Sequence, residues 1–218
     1  MAAAPQAEVV VATDHQTVLE AVEGWGGKAL LSPSTCQSGT ERVAAIAHQL
    51  RGELVINLQA DEPFMDPAVL RALIEAFGHY PVPVDMLTPV YPLADAAMLS
   101  NPMKVKVARA LDGTALYFSR SPIPHCRGQA VENWPLHGSY WVHIGVYAFA
   151  KTSLLRYPTL RPGPLEQLES LEQLRLLENG WRIGTVPVQY TGGISVDVPE
   201  DLEKARLAWQ QANPPKLA

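Results

Sequence analysis

Short apolar runs alternate with helix-like segments over the first ninety residues, and this rhythm constrains the fold more than any other feature of the sequence. Glu8 to Ala12 ("EVVVA") is a continuous valine-rich run of the kind buried on both faces of a sheet. Val18, Leu19 and Val22 follow with helical spacing, and Gly24 is a natural stop. Lys28 to Leu31 is a second short run. "SPSTCQSGTERVAAIAHQLRG" is a polar loop feeding a helix, with Ser38 or Thr40 as its cap and Val43, Ile46, Ala47 and Leu50 as its apolar stripe. Leu54 to Leu58 is a third run. Asp66 and Pro67 read as the cap and first residue of a helix reaching about Phe77, and Asp85 to Tyr91 is a fourth run. Such alternation predicts crossover connections and a mostly parallel sheet, in one α/β domain spanning residues 1–218. Ligands of such sheets bind beyond the carboxyl ends of the strands. Asp14, the Gln37–Arg42 loop and Gln59–Glu62 are therefore the residues to watch.

The rhythm then changes. "KVKVARALDGTALYFSR" reads as a hairpin turning at Asp112-Gly113. "YWVHIGVYAF" reads as one strand. "PLEQLESLEQLRLLENG" reads as one helix, with Leu165, Leu168, Leu171 and Leu174 at every third position and Gly180 closing it. "WRIGTVPV" is a further strand, and "DVPEDLEKARLAW" is a closing helix with Pro199 near its first turn. The hairpin and loop, about 104–150, read as an insertion packing on the sheet or on another subunit.

The net charge of -5 argues against nucleic acid as a partner, which normally requires a basic surface. No apolar run is long enough to cross a bilayer, and "MAAAPQAEVV" lacks the pattern of a secretory signal. Cys36 and Cys126 form no CxxC pair, which points to a reducing compartment, with the cytoplasm as the expected location.

Several constellations bear on chemistry. In "LVINLQADEPFMDP", Asp61 ends an apolar strand, where a carboxylate can hold a divalent cation against phosphates. Asp197, in "TGGISVDVPED", can supply a second carboxylate from another loop; from spacing alone both read more readily as turn and cap residues. In "CQSGTER", Ser38, Gly39 and Thr40 offer N–H groups and hydroxyls at a helix start, suited to an anion or to the polar edge of a base, or to plain capping. No GxxxxGK[ST] pattern is present. His143 and Tyr147, four apart on one strand, project from one face, either toward a ligand or into a satisfied core. Glu169 shares a helix face with Glu172 and with Gln173, for which a solvated acidic face is the ordinary explanation. Arg120, ending "ALYFSR", has the fork geometry that clamps a carboxylate, or is one surface arginine among many.

Taken in order, "VVVATDH", "CQSGTERVA", "VINLQADEP", "NPMKVKV", "ALYFSRSPIP", "HIGVYAF", "PLEQLESLEQLRLLENG" and "SVDVPEDLEKAR" resemble the 3-deoxy-manno-octulosonate cytidylyltransferases (CMP-KDO synthetases) from about Glu8 to Arg206. The resemblance implies a three-layer α/β/α nucleotidyltransferase of the nucleotide-diphospho-sugar transferase type, dimeric through the hairpin insertion. It implies the reaction of CTP with KDO to give CMP-KDO and pyrophosphate, for lipopolysaccharide biosynthesis. Magnesium would be held by Asp61 and Asp197. Gln37, Ser38, Gly39 and Thr40 would face the cytosine, with Asp14 near the nucleotide. Gln59, Arg120, His143, Tyr147, Glu172 and Gln173 would line the sugar pocket, with Arg120 on the sugar's carboxylate.

Two positions depart from the family pattern: Ala60 stands where the family has glycine, and Cys36 where many members have histidine. Family members also open on a further strand and a loop of the type "PAR..S.R.PGK", whose cations grip the triphosphate. Here only MAAAPQ precedes "AEVVVATDH", so weak turnover is expected. A cytidylyltransferase for another acidic sugar, and a sugar-binding regulatory relative without catalysis, stand as alternatives.

Overall fold

The computed structural model describes residues 7–93, 95–196 and 198–212. Strand β1 (Val10–Thr13), helix α1 (Gln16–Gly24) and β2 (Lys28–Leu31) form a strand-helix-strand unit, and β1 pairs β2 in parallel. Helix α2 (Gly39–Ile46) starts where the Ser38 side chain accepts from the Glu41 N–H at 3.1 Å, while the Glu41 carboxylate accepts from the Gln37 N–H at 2.6 Å. Strand β3 (Leu54–Leu58) leads to α3 (Pro67–Ala76), which is capped by Asp66 through the Ala68 N–H at 2.8 Å with Pro67 in the first position, as the sequence predicts.

The remaining elements are β4 (Met86–Pro92), α4 (Ala96–Ser100), β5 (Lys106–Arg109), β6 (Ala115–Ser119), α5 (Trp134–His137), β7 (Trp141–His143), β8 (Val146–Ala150), α6 (Lys151–Arg156), α7 (Pro164–Glu169), α8 (Leu174–Glu178), β9 (Ile183–Pro187) and α9 (Pro199–Ala212). The main sheet has the order β3-β8-β4-β7-β5-β6, with β9 beside β4. It is not mostly parallel. Among the described residues only β4 and β9 pair in parallel within it, and its other pairs are antiparallel. The crossover logic fails for one reason: β3 and β4 run the same way, but they are not neighbours. Strand β8, from far along the chain, inserts antiparallel between them. The β5–β6 hairpin turns at Gly113, whose φ is +85°, and joins this sheet through β7.

Three further readings are corrected. Strand β1 is half-buried, not buried on both faces, because β2 is its only strand neighbour among the described residues. "YWVHIGVYAF" is two strands, β7 and β8, broken at Ile144-Gly145 where the chain moves from one set of neighbours to another. The predicted helix from Pro164 to Gly180 is also two, α7 and α8, separated by Ser170 in the left-handed conformation at φ +52°. A leucine at every third residue drifts around a 3.6-residue helix, so one straight helix could not bury all four. Leu168 is 81% exposed, whereas Leu171 and Leu174 are 7% and 0% exposed.

Apolar side chains fill both faces of the sheet. Val55, Met86, Val90, Phe118, Phe149 and Ile183 pack with Ala44 of α2, Leu154 of α6 and Leu174 of α8. Leu87, Tyr91, Val142, Val146 and Val186 pack with Val69 and Leu73 of α3 on the other. The period of two along β4 and β8 sends successive residues to opposite layers.

A lysine lies inside this packing. Lys106 is fully buried, and its ammonium donates to the carbonyls of Asn101 at 2.9 Å, Lys104 at 2.6 Å and Arg120. It thereby ties the chain entering β5 to the chain leaving β6. Burial holds its pKa below the usual lysine value, and the charge survives because all three protons are used. Lys106→Met would strand three carbonyl oxygens. It is expected to destabilise the chain by roughly 2–4 kcal/mol, read as a lowered urea midpoint at unchanged slope.

Candidate active site

Leu58, the last residue of β3, lies opposite Val146, the first of β8. The β3 exit turn closes through Glu62 N–H to Gln59 C=O at 3.2 Å, and this puts Asp61 at the exposed tip. The loop leaving β9 lies on the same turn. The Val196 N–H donates to the Asp61 carbonyl at 2.8 Å, and a Cβ on Gly193 would press on the Tyr190 hydroxyl at 3.1 Å and lie in ordinary contact with the Phe64 carbonyl and the Glu62 carboxylate. Asp197 lies outside the described residues. An exposed carboxylate just past a sheet strand, on a turn whose backbone carbonyl accepts from the loop leading to Asp197, fits magnesium in kind, since that ion takes one or two carboxylates and leaves its other positions to water and phosphate. No group of three or more His, Cys, Asp or Glu side chains gathers as a metal cage among the described residues.

The break at Ser170 arranges the next group. Glu169, at the end of α7, is not solvated: it accepts from the Ser119 hydroxyl at 2.6 Å and from the Arg120 N–H at 2.9 Å. Two residues past the break, Glu172 turns the opposite way. It accepts from the Thr40 N–H at 3.2 Å and the Gln59 amide at 3.3 Å. Burial raises its pKa, and the Ser38 and Thr40 donors work against that shift. Gln173 is buried and accepts from the Tyr147 hydroxyl at 3.0 Å, which leaves its amide nitrogen buried without a partner among the described residues. Arg175 then holds Glu166 through two bonds, at 2.8 and 2.7 Å, and Glu41 at 2.6 Å. The hydrogen bond to Glu166 is the chief reason its pKa is raised. So the acidic residues are structural and site-facing, not a solvated face.

A cavity of about 240 Å³ opens among these groups, lined in part by Glu62, Lys104, His143, Tyr147, Gln173 and Tyr190. A larger cavity, about 380 Å³, lies along 77–87 at the opposite end of β4 and holds none of the predicted site residues. His143 and Tyr147 stand on different strands, but their rings stack at 5.6 Å, with Phe118 edge-on to His143 at 5.1 Å. The imidazole borders the cavity while resting on apolar surroundings, and burial lowers its pKa to about 3. Burial pushes the Tyr147 hydroxyl well above the usual tyrosine value.

Asp14, Ser38–Thr40 and Arg120 are not among the residues that line this cavity. Asp14 pairs with Arg42 at 3.1 Å beside the Ser38–Thr40 turn, and the Asn57 amide donates to the buried Thr40 hydroxyl at 3.1 Å. The guanidinium of Arg120 is directed to backbone carbonyls, at Glu169 (2.7 Å), Pro102 (3.2 Å) and Ser170 (3.3 Å). In this structure it caps the broken end of α7. Sequence reading missed Lys104, Tyr190 and Thr88. Lys104 stands inside "NPMKVKV" without being singled out there, whereas Tyr190 and Thr88 sit in no marked motif, and the strand-end rule, applied to β9, would have drawn attention to Tyr190.

Comparison with known proteins places these observations in a family. Residues 2–183 match the family model described as cytidylyltransferase. A 3-deoxy-manno-octulosonate cytidylyltransferase of Methylococcus capsulatus is 45% identical over 206 residues, covering 92% of this chain and 80% of that protein. One of Porphyromonas gingivalis is 42% identical over 200 residues, covering 90% and 78%. Among solved structures, a CMP:2-keto-3-deoxy-manno-octonic acid synthetase complexed with CTP superposes with a TM-score of 0.83 at 38% identity, covering 94% of this chain and 82% of that one. An inositol-1-phosphate CTP transferase from T. maritima, 13% identical with a TM-score of 0.56, shares the fold.

The state of His143 has a measurable consequence. The unfolded imidazole gains a proton below about pH 6.5, the folded one only near pH 3. Stability is therefore full above pH 6.5 and falls as pH drops through that window, by up to roughly 1.4 kcal/mol per unit. Urea unfolding at pH 7 and pH 5 is expected to show this loss in the parent, and a loss smaller by roughly 2 kcal/mol in His143→Asn.

Proposed function

The chain belongs to the cytidylyltransferase family, and we propose that it transfers CMP from CTP to the anomeric hydroxyl of 3-deoxy-D-manno-octulosonate, releasing pyrophosphate and forming CMP-KDO for lipopolysaccharide. One observation carries the reading: the cavity that brings His143, Tyr147 and the unpartnered Gln173 amide beside the Asp61 turn. It lies below the roughly 300 Å³ of drug-sized pockets. That suits one polyhydroxylated sugar, with the nucleotide outside it along the Ser38–Thr40 turn.

The sugar's anomeric oxygen attacks the α-phosphorus and loses its proton. The bond to the pyrophosphate oxygen breaks as the new one forms. Such a reaction asks the protein mainly for alignment and for stabilisation of charge on phosphate oxygens. Gln37, Ser38, Gly39 and Thr40 hold the base edge, with Asp14 near the nucleotide. Gln59 and Glu172 stand between the two substrates and hydrogen-bond each other, so they align sugar hydroxyls against the nucleotide side. Arg120 binds the sugar's carboxylate through the N–H positions not committed to backbone carbonyls. Asp61 and Asp197 would hold magnesium, which when bound supplies Lewis acidity and offsets phosphate charge.

The copies pair through the 104–150 region, where Leu111, Leu116 and Leu136 are exposed. The cytoplasm is the proposed location: both cysteines are free, and no helix among the described residues is long and apolar enough to cross a membrane.

Pyrophosphate release tests the reading. Release is expected only with CTP and KDO together, faster than with other acidic sugars, and lowered roughly 10²-fold or more in Asp61→Asn. Release indifferent to the sugar, or full activity in Asp61→Asn, would contradict it.

A further inference from the structure

We propose that Thr88 is a positioning residue that fixes the tautomer of His143, so that a bare Nδ1 faces the cavity as an acceptor for a ligand hydroxyl. The inference rests on the reading that this cavity takes the acceptor sugar. Thr88 sits in the middle of β4, fully buried. Its hydroxyl oxygen lies 2.9 Å from the Val146 carbonyl, 3.3 Å from the Ile144 carbonyl and 2.8 Å from His143 Nε2. A hydroxyl has one proton to give, and carbonyl oxygens only accept. Directed at Nε2, that proton would leave the Val146 oxygen against the hydroxyl oxygen with no hydrogen between them. Directed at Val146, it leaves lone pairs facing Nε2, and these need a donor there. The ring therefore carries its proton on Nε2 and donates to Thr88.

The ring also cannot exchange its two nitrogens by turning. Tyr147 stacks on one side and Phe118 stands edge-on to the ring. The His143 backbone is pinned by its N–H to the Val105 carbonyl at 2.8 Å. His143 borders the cavity, and the Thr88 contact is the hydrogen bond its ring makes among the described residues. A neutral ring with its proton on Nε2 presents an acceptor on the other nitrogen.

The stacked Tyr147 is held in turn, because its hydroxyl gives its proton to Gln173 Oε1 at 3.0 Å. The cavity thus offers an acceptor at His143 in a fixed position. A ligand that fits places a donating hydroxyl there, as a polyhydroxylated sugar acid can, and an analogue with that hydroxyl methylated would lose the His143 contact.

Nitrogen-15 NMR of the ligand-free chain, with the imidazole assigned by its loss in His143→Asn, reads the tautomer directly. The neutral Nε2–H form is expected; the Nδ1–H form or an even mixture would overturn the inference. Turnover supplies the second readout. Thr88→Val is expected to raise KM for KDO roughly tenfold while leaving kcat and the KM for CTP within about twofold, and Thr88→Ser to restore the parent value. An unchanged KM for KDO in Thr88→Val, or equal losses for both substrates with no rescue by serine, would contradict it. If Thr88→Val does not fold, the parent tautomer decides. If the parent turns over no acidic sugar, the functional reading fails, and the tautomer still decides the role of Thr88.

Discussion

The left-handed residue at Ser170 is the point on which the candidate site depends. A helix continuing through it would carry Glu169, Glu172 and Gln173 along one face. The break sends them apart: Glu169 to Ser119 and Arg120, Glu172 to Thr40 and Gln59, Gln173 to Tyr147. A helix end leaves unpaired carbonyls. Here the Arg120 guanidinium takes those of Glu169 and Ser170, so the segment leaving β6 and the break stabilise each other. At the start of α7 the Glu178 carboxylate accepts the Leu165 and Glu166 N–H groups, over a Gly163 where a Cβ would clash at 2.2 Å. Arg175 joins both short helices to α2 through Glu166 and Glu41.

The mixed sheet is the second constraint. Because β8 lies between β3 and β4, the residues at its start face both the β3 exit turn and the middle of β4. An all-parallel sheet would have put a helical crossover where the β7–β8 corner stands. The corner brings His143 over Thr88 and Tyr147 under Gln173. Both are neutral at ordinary pH, because burial opposes charge on each. The cavity is thus held by hydrogen-bond polarity, with its charges at the Lys104 and Glu62 rim.

Local chemistry in the sequence was legible. The Asp66-Pro67 start, the Ser38 cap and the Asp112-Gly113 hairpin all stand where residue type alone puts them. Each depends on neighbours a few positions away. Strand order was not legible, because a run such as Val146–Ala150 gives no sign that it will insert between a pair of earlier strands. The helix break was hidden for a related reason. Ser170 is an ordinary helix residue until distant Arg120 takes the carbonyls beside it. The candidate residues were found by strand ends and by family resemblance together. The roles of their partners, Thr88 and Lys106 above all, are visible only once burial and hydrogen bonds are in place.

The most direct test of this account compares two substitutions at Ser170. A serine held at φ +52° costs roughly 1 kcal/mol relative to glycine, which adopts that conformation freely. A β-branched residue is excluded more strongly and favours a continued helix or strand. Stability and KDO-dependent pyrophosphate release, measured side by side, should stay at or above the parent level in Ser170→Gly and fall together in Ser170→Val. Parent-like stability and release in Ser170→Val would mean that the break does not build the site.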